Sequence, residues 1–244
     1  MCWNKFAIHN LHVEYRRRGL PPRIGINTVS INRIFRGNIV LIKGDNGCGK
    51  TTLIKALVGE VPVSGGGIML DDLHLTPEEF RKKCKISYVP QNPSRGAVDS
   101  MTVEENLLVR AMLHNREKIN LSTLLQNIGV TKIQDLPLVD FLTQSKLAGD
   151  MRALSGGQLQ VINLLSSLLS NPDFLFMDEP TSSMSCSRVA NFWKLFNKLK
   201  NDDLVTFVTS HHDPYIEKYV NVRVSLKNGE VHSTQRQKKL KLQS

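Results

Sequence analysis

The 244-residue chain has no apolar run approaching the ~18–20 residues that a membrane span requires. Its richest apolar stretch, 161–177, is broken by Asn163, by serines, and by Asn171, Pro172 and Asp173. Acid is in short supply. Against 32 Lys and Arg stand 22 Asp and Glu, leaving a formal charge of +10. That excess favours anionic partners, whether nucleic acid, a phospholipid surface or nucleotide phosphates, and does not choose among them. The four cysteines, at 2, 48, 84 and 186, are spaced too widely for a paired-cysteine metal site and read as free thiols in a reducing compartment. The first residues lack the basic-then-apolar pattern of a secretion signal, so secretion is not expected. There is no internal repeat, low-complexity linker or sustained heptad. What is present, 41% apolar and 22% charged residues, suits one contiguous globular domain with a sizeable core.

The chain alternates strand-like and helix-like stretches, the pattern of an α/β domain. Strands are predicted at 6–15, 26–35, 39–43, 68–70, 85–89, 174–177, 204–209, 222–227 and 231–233, with a basic loop at 16–23. Asn228-Gly229 signals a hairpin turn. Helices are predicted at 50–58, stopped by Gly59, and from capping boxes at Thr76-Pro77-Glu78-Glu79 and Thr102-x-x-Glu105. Two more are predicted at 156–170 and 188–200. Residues 92–154 show no convincing strand and read as a helical insertion. Residues 236–244 carry four basic groups and no acid, and are expected to form a solvated tail. That tail lacks the interleaved aromatics that would stack on bases.

Gly44-Asp45-Asn46-Gly47-Cys48-Gly49-Lys50-Thr51-Thr52 follows a predicted strand and opens a predicted helix. This is the phosphate-loop pattern in the context that it requires. Glycines let the backbone curl so that successive N–H groups face one anion, and the helix adds its free N–H groups and positive dipole end. Lys50 is expected to reach the β- and γ-phosphates and Thr51 to give its hydroxyl to Mg²⁺. Cys48 is read as the small residue that the loop requires; the alternative is that its thiol, beside Lys50 and a helix N-terminus, is easily alkylated. Phe174-Leu175-Phe176-Met177 runs into Asp178-Glu179, which places two carboxylates at the sheet edge where ligands bind in open α/β sheets. Asp178 is expected to hold Mg²⁺ through a water and Glu179 to take a proton from the attacking water.

With Leu154-Ser155-Gly156-Gly157-Gln158 added, and the order Lys50, Gln91, Ser155, Asp178-Glu179, His211 or His212, the chain resembles the nucleotide-binding subunit of an ATP-binding cassette (ABC) transporter. The likeness covers about residues 5–233. It implies a phosphate-loop α/β fold of cassette type: a mixed core sheet, an N-terminal antiparallel β subdomain and a helical subdomain at about 92–154. It implies that Tyr15 stacks on adenine, and that Gln91 touches Mg²⁺ and the attacking water and moves with the helical region. Ser155, Gly156, Gly157 and Gln158 would face the ATP held by a second subunit. A histidine after the strand at 204–209 would hold the γ-phosphate. Ser210-His211 suits that role, and His212-Asp213-Pro214 offers an alternative register.

Two departures from the family pattern stand out. Ser185 occupies the place of the aspartate that closes the loop after the catalytic glutamate. Val161 and Ser166 replace the usual basic residues after the signature, which makes the helix at 156–170 unusually apolar and suggests either deeper burial or reliance on a particular partner. The resemblance implies a head-to-tail dimer, homo- or heterodimeric, closing on two ATP, and a separate multi-span permease that reads the cargo, with the chain at the cytoplasmic face of a membrane. The alternative is a soluble cassette ATPase acting on ribosomes or nucleic acid. Only 64 positions separate Gln91 from Ser155, too few for the long coiled coil such proteins carry, so no nucleic-acid partner is expected.

Overall fold

The structure, a computed structural model, describes residues 3–16, 18–114, 120–127, 147–211 and 213–237. The strands are β1 (Lys5–Tyr15), β2 (Arg23–Phe35), β3 (Ile39–Lys43), β4 (Gly65–Leu70), β5 (Leu73–Leu75), β6 (Ile86–Val89), β7 (Phe174–Asp178), β8 (Val205–Thr209), β9 (Val222–Lys227) and β10 (Glu230–Arg236). The described helices are α1 (Lys50–Val58), α2 (Pro77–Lys83), α3 (Val103–His114), α4 (Leu121–Asn127), α5 (Gly156–Leu169) and α6 (Cys186–Leu199). The ten described strands lie in one sheet, ordered β5-β4-β1-β2-β10-β9-β3-β8-β7-β6. The run β9-β3-β8-β7-β6 is parallel throughout. The run β5-β4-β1-β2 is antiparallel. β10 joins the halves, antiparallel to β9 and bridged to β2 through Glu230 and Thr28.

The central strands read as unbroken apolar runs because both faces are covered. Along β7, Phe174 and Phe176 face α1, α2 and the antiparallel layer, while Leu175 and Met177 face α5 and α6. β3 divides the same way, with Val40 and Ile42 on the first face and Ile39 and Leu41 on the second. On the first face Phe6, Phe80, Phe174, Phe176 and Phe207 pack ring to ring, with Trp3 stacked on Phe174 at 4.9 Å. On the second, Trp193 is fully buried between Phe192 and Phe196. Every residue of α5 from Gln160 to Leu169 is buried, which fits the expectation drawn from its apolar sequence.

Both predicted capping boxes form: Thr76 with Glu79, and Thr102 with Glu105. Most boundaries move by only a few residues. β5 escaped the sequence reading because a three-residue strand carries too little pattern to detect. β10 continues to Arg236, past the end expected at 233 and into the segment read as tail. The Arg236 guanidinium donates to the carbonyls of Arg33, at 2.6 Å, and Asn32, which fastens the strand to the end of β2. The predicted tail beyond 237, and residues 115–119 and 128–146 of the predicted helical region, lie outside the described residues.

An ion cluster pins the start of β9 to the end of β3. Glu217 accepts from Lys43 and, at 2.6 Å, from the Arg223 guanidinium. Burial alone would raise this carboxyl, but hydrogen bonds and charge from Lys43 and Arg223 outweigh it and hold it below its ordinary 4.5. A depressed carboxyl contributes stability above its unfolded value and loses that contribution as pH falls through the folded value. Glu217→Gln is therefore expected to lower unfolding free energy by about 1 kcal/mol at pH 7, the cluster being partly solvated. In urea titrations the gap from wild type should close as pH drops below 4.5. A gap independent of pH would contradict this reading.

Candidate nucleotide site

β3, β7 and β8 run parallel, so Lys43, Asp178 and Thr209 end on one edge of the sheet. The loop after β3 curls back over that edge. Gly49 has φ 108°, and a Cβ there would lie 2.9 Å from the Gly25 carbonyl. Gly44 passes so close to β9 that a Cβ would sit 2.3 Å from the Leu226 carbonyl. The Lys50 ammonium folds over the loop and donates to the carbonyls of Gly44 at 2.8 Å and Asp45 at 3.1 Å. The hairpin tip braces the loop from behind: the Gly229 N–H donates to the Cys48 carbonyl at 2.9 Å, and the Gly229 carbonyl accepts from Asn27 at 2.9 Å. Cys48 is buried with its sulfur against Gly44. The thiol is therefore shielded by the protein itself.

At the strand ends a chain of hydrogen bonds links the two acids. Asp178, 1% exposed, accepts from the Thr209 hydroxyl at 2.6 Å and the Thr51 hydroxyl at 3.2 Å. The Glu179 N–H donates to the Thr209 hydroxyl at 2.9 Å. Glu179 has φ 44°, a left-handed conformation uncommon for this residue type and concentrated at functional sites. That bend turns Glu179 out of the strand, where its carboxylate accepts from the Gln91 amide at 2.9 Å. Nothing in the sequence flagged Thr209; its part is fixed by the β7–β8 register, which sets it opposite Asp178.

A cleft of about 720 Å³ lies over these groups, lined by Tyr15, Arg23, Asn46, Gly47, Gly49, Lys50, Thr51, Thr52, Gln91 and Glu179 among others. Tyr15 forms one wall, its hydroxyl donating to Thr52 at 3.2 Å and its ring edge lying against Gly25. Exposed Leu20 and Ile24 add apolar surface to the same wall. A second hollow, about 660 Å³, shares Thr51 and Gln91, is lined also by Asp178, and extends past Lys55, Glu60 and Tyr88. Burial, followed by the negative charges of Asp178 and Glu60, pushes the Tyr88 phenol up, so it stays protonated as a donor.

Ser155, Gly156, Gly157 and Gln158 are not among the residues lining the cleft. Ser155 caps α5: its hydroxyl accepts from the Gln158 N–H at 3.4 Å, and the Gln158 side chain accepts from the Ser155 N–H at 2.9 Å. The two glycines pack against the loop after Glu179, Gly156 near Ser183 and Gly157 near Met184, each at 3.7 Å for an added Cβ. Ser185 is the N-cap of α6 but accepts no capping bond; its hydroxyl meets that of Ser187 at 3.2 Å. His211 is exposed just beyond β8 and is not a cleft-lining residue, and His212 lies outside the described residues. Asp213 was passed over in the sequence except as part of a register. It is 6% exposed and accepts from Thr181 at 2.8 Å, Trp193 at 2.7 Å and the Tyr215 N–H at 3.0 Å. It thereby ties the loop after Glu179 to the segment after β8.

A glycine loop with an ammonium folded across it, a following helix N-terminus, and two carboxylates at the ends of parallel strands together define the phosphate-loop nucleoside triphosphatase class. A family model described as ABC transporter matches residues 27–182. The chain is 36% identical over 187 residues to the zinc import ATP-binding protein ZnuC of Ehrlichia ruminantium (strain Gardel), covering 76% of this chain and 67% of that protein. It is 30% identical over 226 residues to the tyrosine transport ATP-binding protein of Clostridioides difficile (strain R20291), covering 92% and 89%. Its fold matches the dimeric post-hydrolysis state of the ATP-binding cassette MJ0796 bound to ADP and Pi, with a TM-score of 0.76, 22% identity, and coverage of 95% and 98%. The chain belongs to the ABC transporter family.

Proposed function

We propose that this chain is the ATP-binding and ATP-hydrolysing subunit of an ABC transporter. The observation that carries the reading is the convergence on one cleft of Lys50, Thr51, Gln91 and Glu179, with Asp178 hydrogen-bonded behind Thr51 and Gln91 bonded to Glu179. The loop from Gly44, Asp45 and Asn46 through Gly47, Cys48 and Gly49 to Lys50, Thr51 and Thr52 cradles the phosphates, and the Tyr15 ring takes the adenine. Thr51 and Asp178 offer hard oxygen donors only 3.2 Å apart, which suits Mg²⁺, and Gln91 adds an amide oxygen. Held there, Mg²⁺ would offset phosphate charge. Glu179, held by Gln91, accepts the proton of the attacking water, and His211, or His212 in the alternative register, orients it.

The cleft takes nothing from the Ser155–Gly156–Gly157–Gln158 turn of its own chain. The same turn from a second cassette, in the simplest form another copy, completes each site in a head-to-tail dimer. Among the described residues no helix is long and apolar enough to cross a membrane. Membership of the ABC transporter family supports a separate multi-span permease as the pathway, docking on the region 92–154 and holding this subunit at the cytoplasmic face. The relatives' names give two cargoes, zinc and tyrosine, on similar cassettes, in keeping with cargo being read by the permease. Light scattering on Glu179→Gln tests the two-subunit site. Its mass should double with ATP and Mg²⁺ and remain monomeric without ATP. A monomer under both conditions would overturn the homodimeric arrangement.

A further inference from the structure

α5 packs in an apolar core, yet two amides sit on one of its faces three residues apart. Gln160 is fully buried and Asn163 is 1% exposed. Both reach the irregular segment that follows β6. Gln160 Nε2 donates to the Pro90 carbonyl at 3.0 Å, and Asn163 Nδ2 donates to the Pro93 carbonyl at 2.8 Å. Asn163 also reaches the Gln160 side-chain oxygen at 3.4 Å, which joins the two amides to each other. The backbone of Gly96 lies so close that an added Cβ would be 2.5 Å from the Asn163 amide. Gln91 lies inside this bracket, one residue after Pro90 and two before Pro93. Burying an amide costs free energy unless it is bonded, and an apolar side chain would fill the same space without that cost. What the amides add is geometry: two directional bonds that fix the main chain on both sides of Gln91.

We infer that Gln160 and Asn163 are positioning residues that lock the Gln91 segment onto α5. α5 begins at the Ser155 cap, the turn assigned above to a second subunit's ATP. Gln91, bonded to Glu179, senses the γ-phosphate side of its own cleft. With the lock closed, a shift of Gln91 is carried along α5 as one body to the opposite interface. The two ATP sites of the dimer are thereby coupled through each chain's interior. This inference rests on the proposed ATPase function.

The test uses Gln160→Met and Asn163→Leu, each close in volume and lacking the donor, and Gly96→Ala, which displaces Asn163 from outside. Melting temperature and Mg·ATP affinity by calorimetry are read first: a modest fall in melting temperature accompanies the carbonyl left without its donor, and the affinity should stay near wild type. The ATP-binding groups are untouched, so failure of ATP binding in wild type itself would refute the function and not the lock. With binding intact, kcat is expected to fall about tenfold or more at unchanged KM, a size consistent with a ~1 Å loss of positioning. ATP-driven doubling of mass in the Glu179→Gln background should be lost as well. Wild-type kcat and dimerisation in folded variants would overturn the inference. Should one variant fail to fold, the other two break the same bracket and are read in the same way.

Discussion

Glu179→Gln is expected to lower the rate of ATP hydrolysis by about 10²–10⁴-fold, the usual contribution of a positioned general base. The substitution keeps shape and removes the only function the account gives this side chain, accepting a proton. The geometry favours that role over a structural one. The backbone at Glu179 is bent to φ 44°, its N–H is held by Thr209, and its carboxylate faces the cleft with Gln91 at 2.9 Å. Strain of that kind costs free energy and persists where surrounding contacts impose it. Nucleotide affinity should change little, because the groups assigned to the phosphates are on the loop and α1. Phosphate release under saturating ATP and Mg²⁺ measures the effect. A variant turning over at the wild-type rate would contradict the assignment of Glu179 as base.

Lys50→Met is expected to weaken ATP binding by about 10²-fold, corresponding to loss of about 3 kcal/mol of charge-assisted hydrogen bonding. Lys50 is 5% exposed, and its ammonium already satisfies the Gly44 and Asp45 carbonyls. A third N–H and the full charge remain for phosphate. Methionine matches the stem and removes the charge, so the apolar contacts of the side chain survive. The two loop carbonyls lose their donor, and a modest fall in melting temperature should accompany the loss of affinity. Calorimetric titration separates the two effects. Unchanged affinity would mean that the loop binds phosphate by its main chain alone.

What the sequence carried was local. The phosphate loop, the two predicted capping boxes and the buried runs of β3 and β7 each announce themselves within a few residues, because spacing and residue type set their backbone. The acidic pair at the end of β7 was legible for the same reason. The parts that escaped are made by contacts between distant positions. Thr209 matters only because β8 lies in register with β7, and Asp213 because Trp193 and Thr181 converge on it. Gly229 reads as a hairpin residue, yet its N–H also braces Cys48 from 181 positions away. Gln160 and Asn163 look like ordinary polar residues on a helix until the fold brings Pro90 and Pro93 beneath them. For Cys48, proximity to Lys50 is visible in the sequence, and burial against Gly44 is not.

Titrating the wild-type chain with Mg·ATP in a calorimeter tests the central claim most directly. Saturable uptake of one ATP per chain is expected, abolished or strongly weakened by Lys50→Met. A folded protein that takes up no adenine nucleotide in the presence of Mg²⁺ would contradict it.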